Sequence, residues 1–318
     1  MNTIPLTFDE HQINRTIIGG QTEIKKDSLN ISVILLNSSS SNFRLNLFEN
    51  LMSCNFQSIV SIENNAENYS IDDISKAFPA VKFIIPLENS TLGELINIAM
   101  SEVQSDFVLV LSDNLYIPSG VILPHLAERL VKDDIFCLVP RLLDKNQNTI
   151  TNQYSPNAEK THFEIDTSSV TSDGIKTLYP YDYIGIYNRK KFIQLGGFDY
   201  SIRTPFWQIL DLFVRSWLWG EETHITTLLK FSYFEDYPLE DRTITYDYLR
   251  YYLKNELPKY KNDHGVIPNS AFYKFIRNSS CGYLEARRQF KDAQNWVDKN
   301  KYKYKMDLKM LIENWSNV

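Results

Sequence analysis

The sequence predicts an α/β protein built on a doubly wound, mostly parallel sheet with a helical extension at its C-terminus, and three observations carry that prediction. Four β-prone runs, Ile31–Leu36, Gln57–Ile62, Val81–Ile85 and Phe107–Leu111, begin at intervals of 26, 24 and 26 residues. Each interval is the length of one strand plus one crossover helix in a parallel sheet. Between the runs, Phe43, Leu47, Phe48, Leu51 and Met52 fall at helical spacing, as do Leu92, Leu95, Ile96, Ala99 and Val103. The second of these helices opens on Thr91-x-x-Glu94, a capping box in which each side chain satisfies the other residue's backbone N–H. Repeated βαβ units of this kind imply right-handed crossovers and helices packed on the sheet.

The remaining elements follow from local signals. Phe107-Val108-Leu109-Val110-Leu111 reads as a buried strand that runs into Ser112-Asp113-Asn114, so a carboxylate stands where open parallel sheets hold their ligands. Leu123–Val131 reads as a short helix and Phe136–Pro140 as another strand. Polar Asp144–Asp173 reads as a long loop or an exposed hairpin. Tyr183–Tyr187 reads as a strand, Lys190–Leu195 as a helix and Gly196-Gly197-Phe198-Asp199 as a turn. Ile209–Trp219 is a buried helix stopped by Gly220. Past Pro238 the chain is mostly helical, aromatic and basic. The predicted division is an N-terminal extension over residues 1–30, an α/β domain over 31–235 and a helical region over 236–318.

With 33 basic and 39 acidic residues the net charge is −6, which disfavours nucleic acid as a partner. The stretch Arg287–Lys309 is the exception, with eight Lys/Arg against three Asp/Glu. Such a run is expected to be a solvated face, with peripheral contact to an anionic membrane surface as the alternative. Cys54, Cys137 and Cys281 are odd in number and far apart, which argues against a disulfide framework. The start, Met1-Asn2-Thr3-Ile4-Pro5, lacks the basic-then-apolar pattern of a leader, and no apolar run is long enough to span a bilayer. The expectation is a cytoplasmic protein, at the inner face of the membrane if the tail touches lipid.

In order and spacing, Ile31–Asn37, Glu63 closing a strand, the capped helix at Gly93–Asn97, the Ser112-Asp113-Asn114 strand end and the Gly-Gly-Phe-Asp turn resemble the family 2 nucleotide-sugar glycosyltransferases of GT-A fold. Val139-Pro140-Arg141-Leu142-Leu143-Asp144 is similar to a segment of the rhamnosyltransferase-like branch. The resemblance covers residues 31–235. It implies a nucleoside-diphosphate sugar as donor and a glycan or lipid-linked molecule as acceptor, with transfer by inversion. It also implies Mg²⁺ or Mn²⁺, held by hard oxygen ligands, to stabilise the leaving diphosphate.

Three tasks then fall on three groups of residues. Asn37 and Glu63, at adjacent strand ends, are expected to contact the nucleoside, with Asp113 beside them. Asp113 and Asn114 are the expected metal ligands. The family places an acidic pair after the Gly-Gly-Phe-Asp turn, but here, after a one-residue insertion, the pair is Gln208-Ile209, and neither side chain takes a proton at neutral pH. Asp211 is the remaining acid of that helix and the candidate base, although Arg215 at i+4 offers it an intrahelical ion pair. Trp207 and Tyr183 are the candidates for an aromatic platform under an acceptor sugar, against a core role. His224 and His264 are distant alternative ligands.

The two departures, at the metal triplet and at the acidic pair, leave a second expectation: a glycosyltransferase-like module that has lost turnover and works by binding or scaffolding. A nucleotidyltransferase is disfavoured, because Ser38-Ser39-Ser40-Ser41 stands where a Gly-rich phosphate loop would be.

Overall fold

A computed structural model describes residues 13–20, 28–37, 44–63, 71–159, 162–170, 172–279 and 281–315. The serine run 38–41 and the first twelve residues lie outside the described residues. The first half comprises β1 (Arg15–Gly19), β2 (Ile31–Asn37), α1 (Arg44–Met52), β3 (Ile59–Glu63), α2 (Ile71–Ala77), β4 (Val81–Pro86), α3 (Leu92–Glu102) and β5 (Phe107–Ser112). All seven residues of β2 and all five of β3 are buried, as expected of parallel strands covered on both faces. Strands β4, β3, β2 and β5 lie side by side in parallel. The capping box of α3 is complete: Glu94 N–H donates to Thr91 Oγ1 at 3.2 Å and Thr91 N–H to Glu94 Oε2 at 3.3 Å. One part of the expected N-terminal extension belongs to the sheet, because β1 pairs antiparallel with β4 at its edge.

The second half comprises β6 (Leu115–Tyr116), α4 (Pro124–Leu130), β7 (Cys137–Leu143), β8 (Gln153–Glu159), β9 (His162–Ser168), β10 (Gly185–Asn188), α5 (Arg189–Leu195), α6 (Pro205–Leu218) and β11 (Thr223–Tyr233). The sheet order is β1-β4-β3-β2-β5-β10-β7-β11-β6, and among the described strands only β1, β6 and β10 run against the other six. The polar 144–173 segment contains the separate hairpin β8–β9. Strand β10 begins two residues later than its apolar pattern suggests, because Asp182 and Tyr183 have φ of 52° and 61° and break the extended chain. Strand β11 was not expected; it pairs in parallel with β7, and its mixture of Thr, Lys and Ser with apolar residues hides the strand signal.

Beyond residue 236 lie α7 (Tyr246–Tyr251), a π-helical turn (Tyr252–Glu256), the hairpin of β12 (Lys259–Lys261) and β13 (His264–Val266), α8 (Ala271–Asn278), α9 (Tyr283–Asn300) and α10 (Leu308–Asn314). This region shares the core of the sheet domain, for one contiguous cluster of buried apolar residues runs from Ile13 to Leu311. A buried ion network crosses the expected boundary. Asp199, Asp211, Arg215 and Lys254 are each at most 1% exposed. Arg215 Nη1 lies 2.5 Å from Asp211, Lys254 Nζ lies 3.0 Å from Asp211 and also pairs with Asp199, and Asn255 Nδ2 donates to Asp211 at 2.8 Å. Arg215 further donates to the carbonyls of Leu195 (3.1 Å) and Gly197 (2.6 Å). It thereby fixes the turn after α5, where Gly196 caps the helix at φ 90°, a conformation glycine adopts without strain.

The basic tail is partly packed. Lys303 sits over the Trp219 ring at 4.6 Å, and Tyr304 is buried with its ring against Gly265. No helix among the described residues is long and apolar enough to cross a membrane.

Replacing Lys254 with Met leaves Asp211 with Arg215 and removes the countercharge of buried Asp199, whose carboxylate keeps only its Ser201 hydrogen bonds among the described residues. Urea unfolding of Lys254→Met is expected to show a loss of about 3–5 kcal/mol. Lys309→Met, which removes an exposed pair with Glu313, is expected to leave the midpoint unchanged.

Candidate active site

The strand order places a crevice between β2 and β5. From β2 the chain winds outward through β3 and β4, then returns to the other side of β2 as β5, so the order reverses there. Open α/β sheets bind ligands outside the carboxyl ends of the strands at such a switch point. Asn37 and Asp113 flank it, and the Asp113 N–H donates to Leu36 O at 3.0 Å.

On the β2–β3 side, Asn37 and Glu63 are register partners. Asn37 Nδ2 donates to Glu63 Oε2 at 2.7 Å and Ser61 Oγ to Glu63 Oε1 at 2.8 Å. Asn37 is 4% exposed, and its Oδ1 has no hydrogen-bond partner among the described residues. A buried amide oxygen without a donor is costly, and a ligand N–H or O–H would satisfy it. On the β5 side, Asn114 accepts from Phe234 N–H through its backbone carbonyl at 3.0 Å, while its buried Oδ1 also lacks a partner among the described residues.

Asp182 completes this edge, and motif reasoning missed it. It precedes β10, three residues before the Gly185–Val110 pair of the antiparallel ladder, which brings it towards Asp113 at the end of β5. Burial pushes its carboxyl up to about 7; the Tyr233 hydroxyl, donating at 3.4 Å, opposes the rise, and the charge of Asp113 adds to it. Two successive non-glycine residues at positive φ store backbone strain, a feature that clusters at functional sites. The signal available in the sequence was slight: a single acid inside the aromatic run Tyr179-Pro180-Tyr181-Asp182-Tyr183.

The other candidates lie elsewhere. Asp211 is fully buried and enclosed by Arg215, Lys254 and Asn255, so it has no path to an acceptor hydroxyl; the geometry gives it a structural role instead of the expected basic one. Ile209 is core. Gln208 is a buried cross-link. Its Oε1 accepts from Gly93 N–H (3.0 Å) and Tyr183 OH (2.9 Å), and its Nε2 lies 2.9 Å from Thr91 Oγ1, Asp199 O and Ile202 O. A Cβ on residue 93 would fall 2.4 Å from that Oε1, so only glycine fits there. Tyr183 is fully buried and cannot form the expected acceptor platform. Trp207 is 7% exposed, donates from Nε1 to Thr243 O at 2.8 Å and packs on Phe206, Tyr248 and Tyr251. His224 pairs with Glu222 near the amino end of β11, away from the carboxyl edge, and His264 lies beside Tyr302.

For a divalent cation, the donors at this edge are the carboxylates of Asp113 and Asp182 and the orphaned Asn114 Oδ1. Among the described residues no three His, Cys, Asp or Glu side chains come together. The donor set therefore fits a hard cation that takes one or two protein carboxylates and completes its shell with water and substrate phosphate. It does not fit a closed all-protein cage.

No protein-family profile and no curated protein sequence matches this chain. Among solved structures, it is similar to GalNAc-T7 with UDP, GalNAc and Mn²⁺, at a TM-score of 0.60 and 12% identity. That match covers 92% of this chain but 57% of the other, so this chain spans little more than half of its length. The mannosyltransferase PcManGT from Pyrobaculum calidifontis, in complex with GDP-Man and Mn²⁺, gives a TM-score of 0.48 at 10% identity, over 86% of this chain and 76% of that one. The likeness to the first establishes the fold: a GT-A-type, mostly parallel sheet.

Asp182 titrates near 7 when folded and near its ordinary 3.8 when unfolded, so between these values the folded state holds the extra proton. Stability contributed by this group is present below the lower value and lost as pH rises towards the upper one. In metal-free buffer, Asp182→Asn is expected to raise the calorimetric melting temperature at pH 8 and to leave it nearly unchanged at pH 4.

Proposed function

We propose that the protein transfers a glycosyl unit, with inversion, from a nucleoside-diphosphate sugar to a hydroxyl of a glycan or lipid-linked acceptor, as in the family 2 enzymes its motifs resemble. The observation that carries this reading is the set of polar groups at the β2–β5 switch point of a GT-A-type sheet: Asn37 with Glu63 on one side, Asp113, Asn114 and Asp182 on the other. Asn37, held by the fully buried Glu63, presents to base or ribose an amide oxygen that has no partner among the described residues. Asp113 and Asn114 would hold Mg²⁺ or Mn²⁺, whose charge stabilises the departing diphosphate. The acceptor oxygen attacks the anomeric carbon in line as the bond to the diphosphate breaks, and its proton passes to a carboxylate. With Asp211 enclosed, Asp182 is the carboxylate at this edge left for that role. An acceptor carried on lipid would draw the protein to the inner face of the membrane through the cations of Arg287–Lys309.

A second reading is favoured by one feature. Gln208 and Ile209, at the family's acidic pair, are both given over to packing, as expected of a module that binds sugar nucleotide without turnover.

Calorimetric titration with UDP-, GDP- and dTDP-sugars, with and without Mn²⁺, tests the first reading, followed by assay of nucleoside diphosphate release. Metal-dependent binding is expected, weakened roughly tenfold or more in Asp113→Asn. Release is expected to stop in Asp182→Asn while donor binding persists. Donor binding without any release in the wild type favours the non-catalytic module, and no binding of any donor overturns both.

A further inference from the structure

A second polar-aromatic site lies away from the sheet edge. Between β9, the first half of α6 and the π-helical turn is a cavity of about 270 Å³. Phe206, Trp207 and Tyr248 supply aromatic walls, Phe163 and Ile165 close it from the hairpin, and Arg242, Glu164 and Glu256 provide polar groups. Its volume lies just under the roughly 300 Å³ at which pockets for drug-sized ligands begin, so it suits one ring-sized unit.

The polar groups narrow the occupant. Arg242 is already neutralised by Glu240 at 2.7 Å and lies over the Phe206 ring at 5.0 Å. Glu256 has no hydrogen-bond partner among the described residues, and burial pushes its carboxyl up to about 8, against the pull of Lys274, so at neutral pH it is mostly an uncharged donor and acceptor. Among the lining residues Arg242 is the one cation and it is paired, so a phosphate finds no free positive charge, while an ammonium group would find mainly Glu164, which stands exposed to water on the hairpin. A hydrocarbon chain would leave the Glu256 carboxyl unpaired, at a cost that a hydroxyl-bearing ligand avoids. Aromatic faces for C–H groups beside the Glu256 carboxylic acid for hydroxyls suit a neutral sugar ring.

Continuity with the sheet edge indicates which sugar. The segment 234–245 starts at Asn114, to whose carbonyl Phe234 N–H donates. It then passes two tyrosines that precede Asp182: Tyr181 OH donates to Pro238 O, and Tyr179 OH to Glu240 at 3.2 Å. It ends at the cavity, where Arg242 forms part of the wall and Thr243 O accepts from Trp207. One strap therefore joins the two sites. We propose that this cavity is a subsite for one neutral sugar unit of the acceptor glycan. This rests on the glycosyl-transfer reading above, and it selects a glycan over the bare lipid portion of an acceptor as the part recognised.

Saturation-transfer NMR on the full chain tests it, with methyl glycosides of glucose, galactose, mannose and N-acetylglucosamine and with decyl glucoside as probes. Donor binding in the presence of Mn²⁺ is measured on the same preparations. At least one methyl glycoside is expected to bind the wild type, and to bind at least about tenfold more weakly to Glu256→Leu, which keeps the volume but removes the hydroxyl partner. Ile165→Trp, which fills the cavity from the partly exposed hairpin, is expected to abolish the signal and leave donor binding intact. The proposal is overturned if no methyl glycoside receives saturation, if Ile165→Trp leaves the signal unchanged, or if only the decyl chain binds. Donor binding without sugar binding sinks the subsite alone. Sugar binding without donor binding removes the transfer reading and the acceptor role with it, while the cavity remains a sugar site.

Discussion

The buried network of Asp199, Asp211, Arg215 and Lys254 is the interaction on which the arrangement of this molecule depends. It draws together the turn after α5, the interior of α6 and the π-helical turn, three segments separated in sequence, and so seats α6, which walls the cavity and holds Tyr183 through Gln208. Charges taken out of water cost several kcal/mol each, and close geometry with full hydrogen bonding is what offsets that cost. Here the geometry is nearly complete. Arg215 has Asp211 and two carbonyls, Lys254 lies between two carboxylates, and Ser201 holds Asp199 through both its N–H and its hydroxyl. Burial works to raise the Asp199 carboxyl, but the Lys254 charge and the Ser201 bonds outweigh it and hold it below the ordinary value.

This completeness distinguishes the network from the sheet edge. An acid whose partners satisfy it has no remaining capacity for a substrate, which is why Asp211 serves the fold. At the edge the compensation stops short. Asn37 and Asn114 each keep a buried oxygen without a partner among the described residues, and Asp182 is held near Asp113 on a strained backbone. Proteins tolerate such local deficits where a ligand makes them good. The contrast between a closed polar cluster and an open one is thus a physical reason to look for chemistry at Asp113 and Asp182 and not at Asp211.

Much of the fold was legible because its signals are local. The continuous apolar runs of β2, β3, β4 and β5 and the capping box of α3 identify their elements without reference to the rest of the chain. The same holds for the Gly196-Gly197 turn. What was not legible is set by contacts distant in sequence. Strand β10 runs antiparallel to β5, with Gly185 opposite Val110, and no periodicity encodes that direction. Asp182 matters only because the ladder carries it towards Asp113. Tyr183 reads as a strand aromatic, and its positive φ and its bond to Gln208 appear only when α6 is packed in place. The ion pair of Asp211 with Arg215 was visible as an i, i+4 spacing, but its full burial needed Lys254 and Asn255 from beyond residue 236.

The C-terminal region follows from the same constraint. Lys254 is supplied by the π-helical turn, and Glu256, two residues on, opens into the aromatic cavity. A widened turn shifts the side-chain phase relative to an α-helix, and such bulges are frequent at functional sites. One irregular turn therefore seals the buried charges beneath α6 and presents to the cavity the Glu256 carboxyl, which has no hydrogen-bond partner among the described residues. Trp207 ties the two together: its ring packs on Tyr251, which precedes the turn, and its indole N–H holds the strap that leads back to Asn114. In this architecture the helical region is not an appendage to the sheet domain. It supplies the countercharge that lets α6 pack, and a wall of the cavity beside it.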